Sequence, residues 1–133
     1  MHVDINYLAV AVAAVAAVIA SSIWYAVLAR PYAEVSSAAR AQAGARPSVG
    51  KILIELARSL VVGAVLAVLA TRLHVGTWPG ALGLGLLTWI GFPVVLLSGS
   101  VQWEKVPWRL AAIHAGDWLV KLLLIACIVG LWH

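Results

Sequence analysis

An all-α, polytopic membrane protein built as a four-transmembrane-helix bundle is what this sequence predicts, on three observations. Of 133 residues, 64% are hydrophobic, against nine Lys and Arg and five Asp and Glu. Mean hydropathy is +1.02. Four segments are each apolar over the roughly 20 residues a helix needs to cross a bilayer. Soluble domains are nearer half apolar and a quarter charged, and a small water-soluble globule cannot cover this much apolar surface with so few charges. The composition excludes a soluble enzyme, a disordered tail and a disulfide scaffold. One membrane domain over residues 1–133 is expected.

The first span runs over 5–29 without a charge. Ahead of it, Met1-His2-Val3-Asp4 has no Lys or Arg, and the apolar run exceeds the usual signal-peptide length, so a retained helix is expected. The second, 51–73, carries Glu55 and Arg58 in its first half; the third, 77–101, is uncharged; the fourth, 107–132, carries Arg109, Asp117 and Lys121. The connection 30–50 is the long polar stretch, bracketed by Pro31 and Pro47. Its Ala-rich part, Ala33–Ala45, reads either as a short helix on an anionic leaflet or as a solvated loop.

Orientation follows from the basic residues near span ends. Arg30, Arg40, Arg46 and Lys51 lie in the first connection and Lys105 and Arg109 in the third, against Arg72 alone beside the second. The first and third connections are placed in the cytoplasm and both termini outside. The net charge of +4 is thereby read as an orientation signal rather than a nucleic-acid footprint. Trp24, Tyr25, Tyr32, Trp103 and Trp108 fall at the inner interface and Tyr7, Trp78 and Trp132 at the outer one, where amphipathic rings settle. Trp89 and Trp118 lie deeper, inside the bundle.

Small residues let helix backbones approach in lipid. The first span is rich in Ala, the second has Gly63 and Ala67 four apart, and the third has Gly76 and Gly80, then Gly83, Gly85 and Gly91. Close helix contacts are expected from these, within one bundle or between protomers. Pro93 should kink the third helix, because its ring clashes with the carbonyl four residues back and one hydrogen bond is lost. Cys127, the one cysteine, reads as a small packing hydrophobe.

The chemistry-bearing residues are the charges within spans: Glu55, Arg58, His114, Asp117 and Lys121. An intramembrane charge is costly and tends to face the bundle and find a partner. His114, Asp117 and Lys121 are three and four apart and share a helix face, as do Glu55 and Arg58. Spans two and four run in the same direction, so depth compares at about 1.5 Å per residue. Arg58 is then level with His114, with Asp117 about a turn deeper, and an Arg58–Asp117 pair is expected. Glu55 is left to Arg58 or Lys105, and Lys121 to Asp117 or an outward reach. Such a set is either a closed network fixing helix register or a proton or cation site. No phosphate loop, CxxC pair or HExxH motif is present. His114 alone is deep, which argues against haem. His2, Asp4, His74 and His133 share the outer side with metal-ligand chemistry, but no metal site and no cofactor are assigned.

Asn6-Tyr7-Leu8-Ala9-Val10, Ile23-Trp24-Tyr25, Trp89-Ile90-Gly91-Phe92, Pro107-Trp108-Arg109, Ile113-His114-Ala115-Gly116 and Gly130-Leu131-Trp132 occur in this order. On these motifs the chain resembles the small bacterial membrane proteins grouped as domain of unknown function 1761. The resemblance covers nearly the whole length and implies a compact four-helix bundle with no established activity. It also implies departures here. A Ser-Pro pair commonly follows the Trp-Tyr, where this chain has Ala26-Val27, and Asn and Tyr are commoner at positions 114 and 117. A network built on Asp117 and Lys121 would then be particular to this chain.

The resulting expectation is a non-enzymatic protein of the bacterial cytoplasmic membrane, a structural or accessory subunit packing with itself or with another membrane protein among lipids. The alternative is a small proton- or cation-coupled transporter using Asp117, His114 and Arg58. Four spans enclose little space, so a transporter would be an oligomer.

Overall fold

The computed structural model describes residues 5–41 and 48–132. All its regular elements are helical: α1 (Tyr7–Val27), α2 (Ala29–Val35), α3 (Ser37–Ala41), α4 (Val49–Arg72), α5 (Trp78–Trp89), α6 (Val95–Glu104) and α7 (Trp108–Leu131), with a π-helical turn, Ile90–Val94, joining α5 to α6. Four helices are long and apolar enough to cross a membrane: Tyr7–Val27, Val49–Arg72, Trp78–Glu104 and Trp108–Leu131. The chain is an all-α membrane bundle.

Local chemistry sets the helix ends. Asn6 caps α1 by accepting from the Ala9 N–H at 3.1 Å, and its amide donates to the Trp132 carbonyl at 3.4 Å, joining the start of the first span to the end of the last. Ser48 caps α4 by accepting from the Lys51 N–H at 3.2 Å. Among the described residues, two non-glycine residues adopt the left-handed conformation where helices stop, His74 (φ 55°) and Lys105 (φ 57°). Pro31 sits in the first turn of α2, where its missing N–H is not needed.

At Pro93 the predicted disturbance takes the form of the π turn, whose extra residue gives the proline ring room and carries the helix on into α6. Pro93 itself is buried.

The connection 30–50 is partly structured: α2 packs against α7, and α3 follows it. Arg46 and the end of the expected Ala33–Ala45 segment lie outside the described residues, as do His2, Asp4 and His133.

One span organises the rest. α7 packs against α1, α4 and α5, and α1 also packs against α4. The core cluster takes Val10, Ala13 and Ala17 from α1, Leu66, Ala67 and Ala70 from α4, and Leu122, Ile125, Ala126 and Val129 from α7. Ala9, Ala13 and Ala17, spaced four apart and all buried, let backbones approach without costing side-chain order.

Gly85 is the closest of these approaches: a Cβ there would stand 3.1 Å from the Leu122 carbonyl oxygen and 3.0 Å from the Leu123 side chain. Gly63 faces Val10, and Gly130 faces Val75 and Ala81. Gly76 lies in the turn before α5 begins, and within this chain Gly80 faces Thr77 and Val75 of that same turn rather than another span. Gly83 and Gly91 face open space.

Candidate functional site

The bundle is not packed evenly along its length. The buried residues of α4 are Ser59, Gly63, Leu66, Ala67 and Ala70, so the helix touches its neighbours from Ser59 onward. Before that, Val49, Ile52, Leu53 and Ile54 are exposed. The space left between α1, α4 and α7 is a cavity of about 600 Å³. It sits toward the end of the bundle that carries Arg30, Arg40, Lys51, Lys105 and Arg109, hereafter the basic end.

Three helix faces line it. α1 presents Ala17, Val18, Ser21, Ser22 and Tyr25; α4 presents Lys51, Ile52, Glu55, Arg58 and Ser59; α7 presents His114, Asp117, Trp118 and Lys121. Each set follows the three- and four-residue spacing of one helix face. Tyr32 of α2 closes the basic end. All five charged or titratable residues expected from the sequence thus border one cavity.

Of the expected pairings, Lys121–Asp117 and Glu55–Arg58 form and Arg58–Asp117 does not. Asp117 does not meet Arg58. Its Oδ2 accepts from Lys121 Nζ at 2.9 Å, one turn along the same helix, and both residues are buried, 3% and 6% exposed. The Lys121 ammonium also lies 4.1 Å from the centroid of the Trp118 ring, an electrostatically favourable seat for a cation. Arg58 pairs instead with Glu55, three residues back on α4, and not with the deeper carboxylate; their side chains are 59% and 43% exposed. Glu55 therefore does not reach Lys105. A partner one turn away on the same helix is reached without moving one span toward another. Arg109 approaches Glu34 of α2 at 3.8 Å on the surface.

One atom is left over. Asp117 Oδ1 is buried and has no hydrogen-bond partner. A buried polar atom without a partner loses its hydration uncompensated, and more so when ionised.

The neighbouring ring cluster was not legible as a site. Tyr25 Oη and His114 Nδ1 are 2.6 Å apart and share a hydrogen bond. The Tyr25 and Tyr32 rings pack tilted at 44° with centroids 5.0 Å apart, and Tyr32 meets the His114 ring edge-on at 5.7 Å. Two tryptophans brace α7 from behind. Trp24 Nε1 donates to the Ile113 carbonyl at 3.0 Å, and Trp89 Nε1 donates to the Ala115 carbonyl at 2.8 Å. These bonds hold the turn that presents His114. Gly116 makes room for the first of them, since a Cβ at that position would overlap the Trp24 ring.

Trp118 also borders a second space, an apolar groove of about 450 Å³ between α4, α6 and α7, whose walls include Val62, Val65, Phe92, Pro93 and Leu96. Among the described residues no group of three His, Cys, Asp or Glu is placed to hold a metal ion.

The fold and the cavity define a class: a helical membrane protein with a charged recess inside its spans. Residues 8–130 match the family model described as Protein of unknown function (DUF1761). The chain belongs to that family. No curated protein and no solved structure matches it.

Proposed function

We propose that this protein binds a small polar solute within the membrane, as the loading step of a small carrier, and does so without converting it chemically. One observation carries the reading: both intramembrane ion pairs are intrahelical. Lys121–Asp117 lies within α7 and Arg58–Glu55 within α4. Neither ties one span to another, so neither fixes helix register, the role a closed structural network would have. The charges instead border an open recess whose volume lies within the range of small-molecule sites, about 300–1,000 Å³, and one buried carboxylate oxygen faces no partner.

In this reading Asp117 is the deep binding group, Lys121 sets its charge, and Tyr25 and His114 form the polar wall. Arg58 and Lys51 meet the solute as it enters. The distribution of Lys and Arg supports placing the basic end in the cytoplasm of a bacterial cell, with both termini outside.

The accessory-subunit reading, in which the chain packs with itself or a larger membrane assembly, is favoured by a different feature. The groove between α4, α6 and α7 is lined almost wholly by apolar side chains, which suits a partner helix.

Native mass spectrometry in mild detergent separates the two. Solute binding predicts a stoichiometric small molecule on the wild type and its loss from the double variant Asp117→Asn, Lys121→Gln, with helicity retained. An empty cavity in a chain that travels with a different membrane protein would overturn the carrier reading.

A further inference from the structure

The order of charges along the cavity specifies its ligand, an inference that rests on the binding reading above. On α4, Lys51, Glu55 and Arg58 share one face over about 10 Å, at 1.5 Å per residue. Arg58 is paired with Glu55. Lys51 has no ion-pair partner among the described residues. The lining holds three cations, Lys51, Arg58 and Lys121, against two carboxylates, Glu55 and Asp117. The unbalanced positive charge thus sits at Lys51, toward the basic end.

At the deep end the demand is reversed. Asp117 Oδ2 is taken by Lys121, while Oδ1 is buried and lacks a donor. Between the two ends Ala17, Val18 and Ile52 offer purely apolar contact, beside the hydroxyls of Ser21, Ser22 and Ser59 and the indole of Trp118.

A simple anion satisfies Lys51 but leaves Asp117 Oδ1 without a donor. A simple cation satisfies Oδ1 but leaves the unbalanced positive charge at Lys51 without a counter-charge. A molecule carrying both groups satisfies both ends. We propose that the cavity binds a zwitterion, with an ammonium group donating to Asp117 Oδ1, a short methylene stretch along the apolar walls, and a carboxylate or phosphate facing Lys51 and Arg58. This chemistry is found in free ω-amino acids and in the headgroup of phosphatidylethanolamine.

The test uses the full-length protein in nanodiscs of phosphatidylglycerol, with saturable binding measured by calorimetry for aminohexanoate, hexanoate and hexylamine. Charge-assisted contacts at both ends predict that aminohexanoate binds at least about tenfold tighter than either single-ended probe. Asp117→Asn should remove its advantage over hexanoate. Lys51→Gln, an exposed substitution that does not threaten folding, should remove its advantage over hexylamine.

If the source is lipid, nanodiscs containing phosphatidylethanolamine should block aminohexanoate. Native mass spectrometry should then show retention of that lipid over phosphatidylglycerol, lost with Asp117→Asn. Equal binding of hexanoate or hexylamine overturns the zwitterion and leaves solute binding standing. Absence of saturable binding by all three probes, with no lipid preference, overturns both.

Discussion

The two halves of this bundle solve opposite problems. Away from the basic end, α1, α4 and α7 meet through alanine, glycine and branched aliphatic side chains, with Ala13 and Ala17 fully buried and Ile125 nearly so. Toward the basic end the same three helices part around two ion pairs and a Tyr–His contact. In lipid there is little hydrophobic drive for helices to associate, so close van der Waals packing supplies the cohesion. The difference teaches that the packed half holds the bundle together and leaves the other half free to stay open and charged. A cavity walled by charges can persist because its walls are continuations of tightly seated helices.

The largest effect should come from unbalancing the buried pair. Lys121→Met alone leaves Asp117 buried and unpaired, and a loss of about 3–5 kcal/mol is expected. Asp117→Leu with Lys121→Met removes both charges and should be far milder. Reversible unfolding in mixed micelles, followed by far-UV circular dichroism, checks the contrast. If the single and double variants lose equal stability, the pair is not the electrostatic unit described here.

Next in size is damage to the packed half. Gly85→Ala pushes a methyl group toward the Leu122 carbonyl and should cost about 1–3 kcal/mol through overpacking of α5 on α7. Gly83→Ala, facing open space two residues away, should be neutral or slightly stabilising in the same assay.

Trp24→Phe removes one indole donor from the Ile113 carbonyl and is expected to cost about 1 kcal/mol. It should also loosen the turn bearing His114, seen as exchange broadening of that ring's NMR signals.

The smallest effect belongs to Glu55→Gln. Its ion pair with Arg58 is largely exposed, and the stability change should stay within about 0.5 kcal/mol. A much larger loss would mean that this pair is structural after all.

Much of this was readable in advance, for identifiable reasons. The four spans stand out because runs of apolar residues that long have no other stable home. Asp117 and Lys121 stand out because a charge amid Leu and Ile is expensive. Their pairing with each other was one of two readings open for Lys121; that Arg58 stays out of it was not readable, because it depends on the distance between α4 and α7. Sequence spacing gives depth along a helix but not the distance between helices. Tyr25, Tyr32 and Trp24 were read as interfacial anchors, since an aromatic with a polar tip at a span end serves an interface and a cavity wall equally well. Gly116 drew notice only as part of a motif, and its purpose appears once the Trp24 ring is seen resting on it. At Pro93 the position of the disturbance was legible, but its resolution as a π turn depends on neighbouring packing.

The position of α7 has a consequence for biogenesis. It follows the other three spans in the chain, yet it is the one on which α1, α4 and α5 all pack. A nascent chain that has delivered three spans to the bilayer owns a single substantial seam between spans, that of α1 with α4, while α5 waits for a partner. Cohesion is deferred until α7 is made. Paired cysteines replacing Gly63 and Val10 should therefore cross-link in chains arrested before Trp108, whereas a pair at Gly85 and Leu122 can form only after α7 has been inserted.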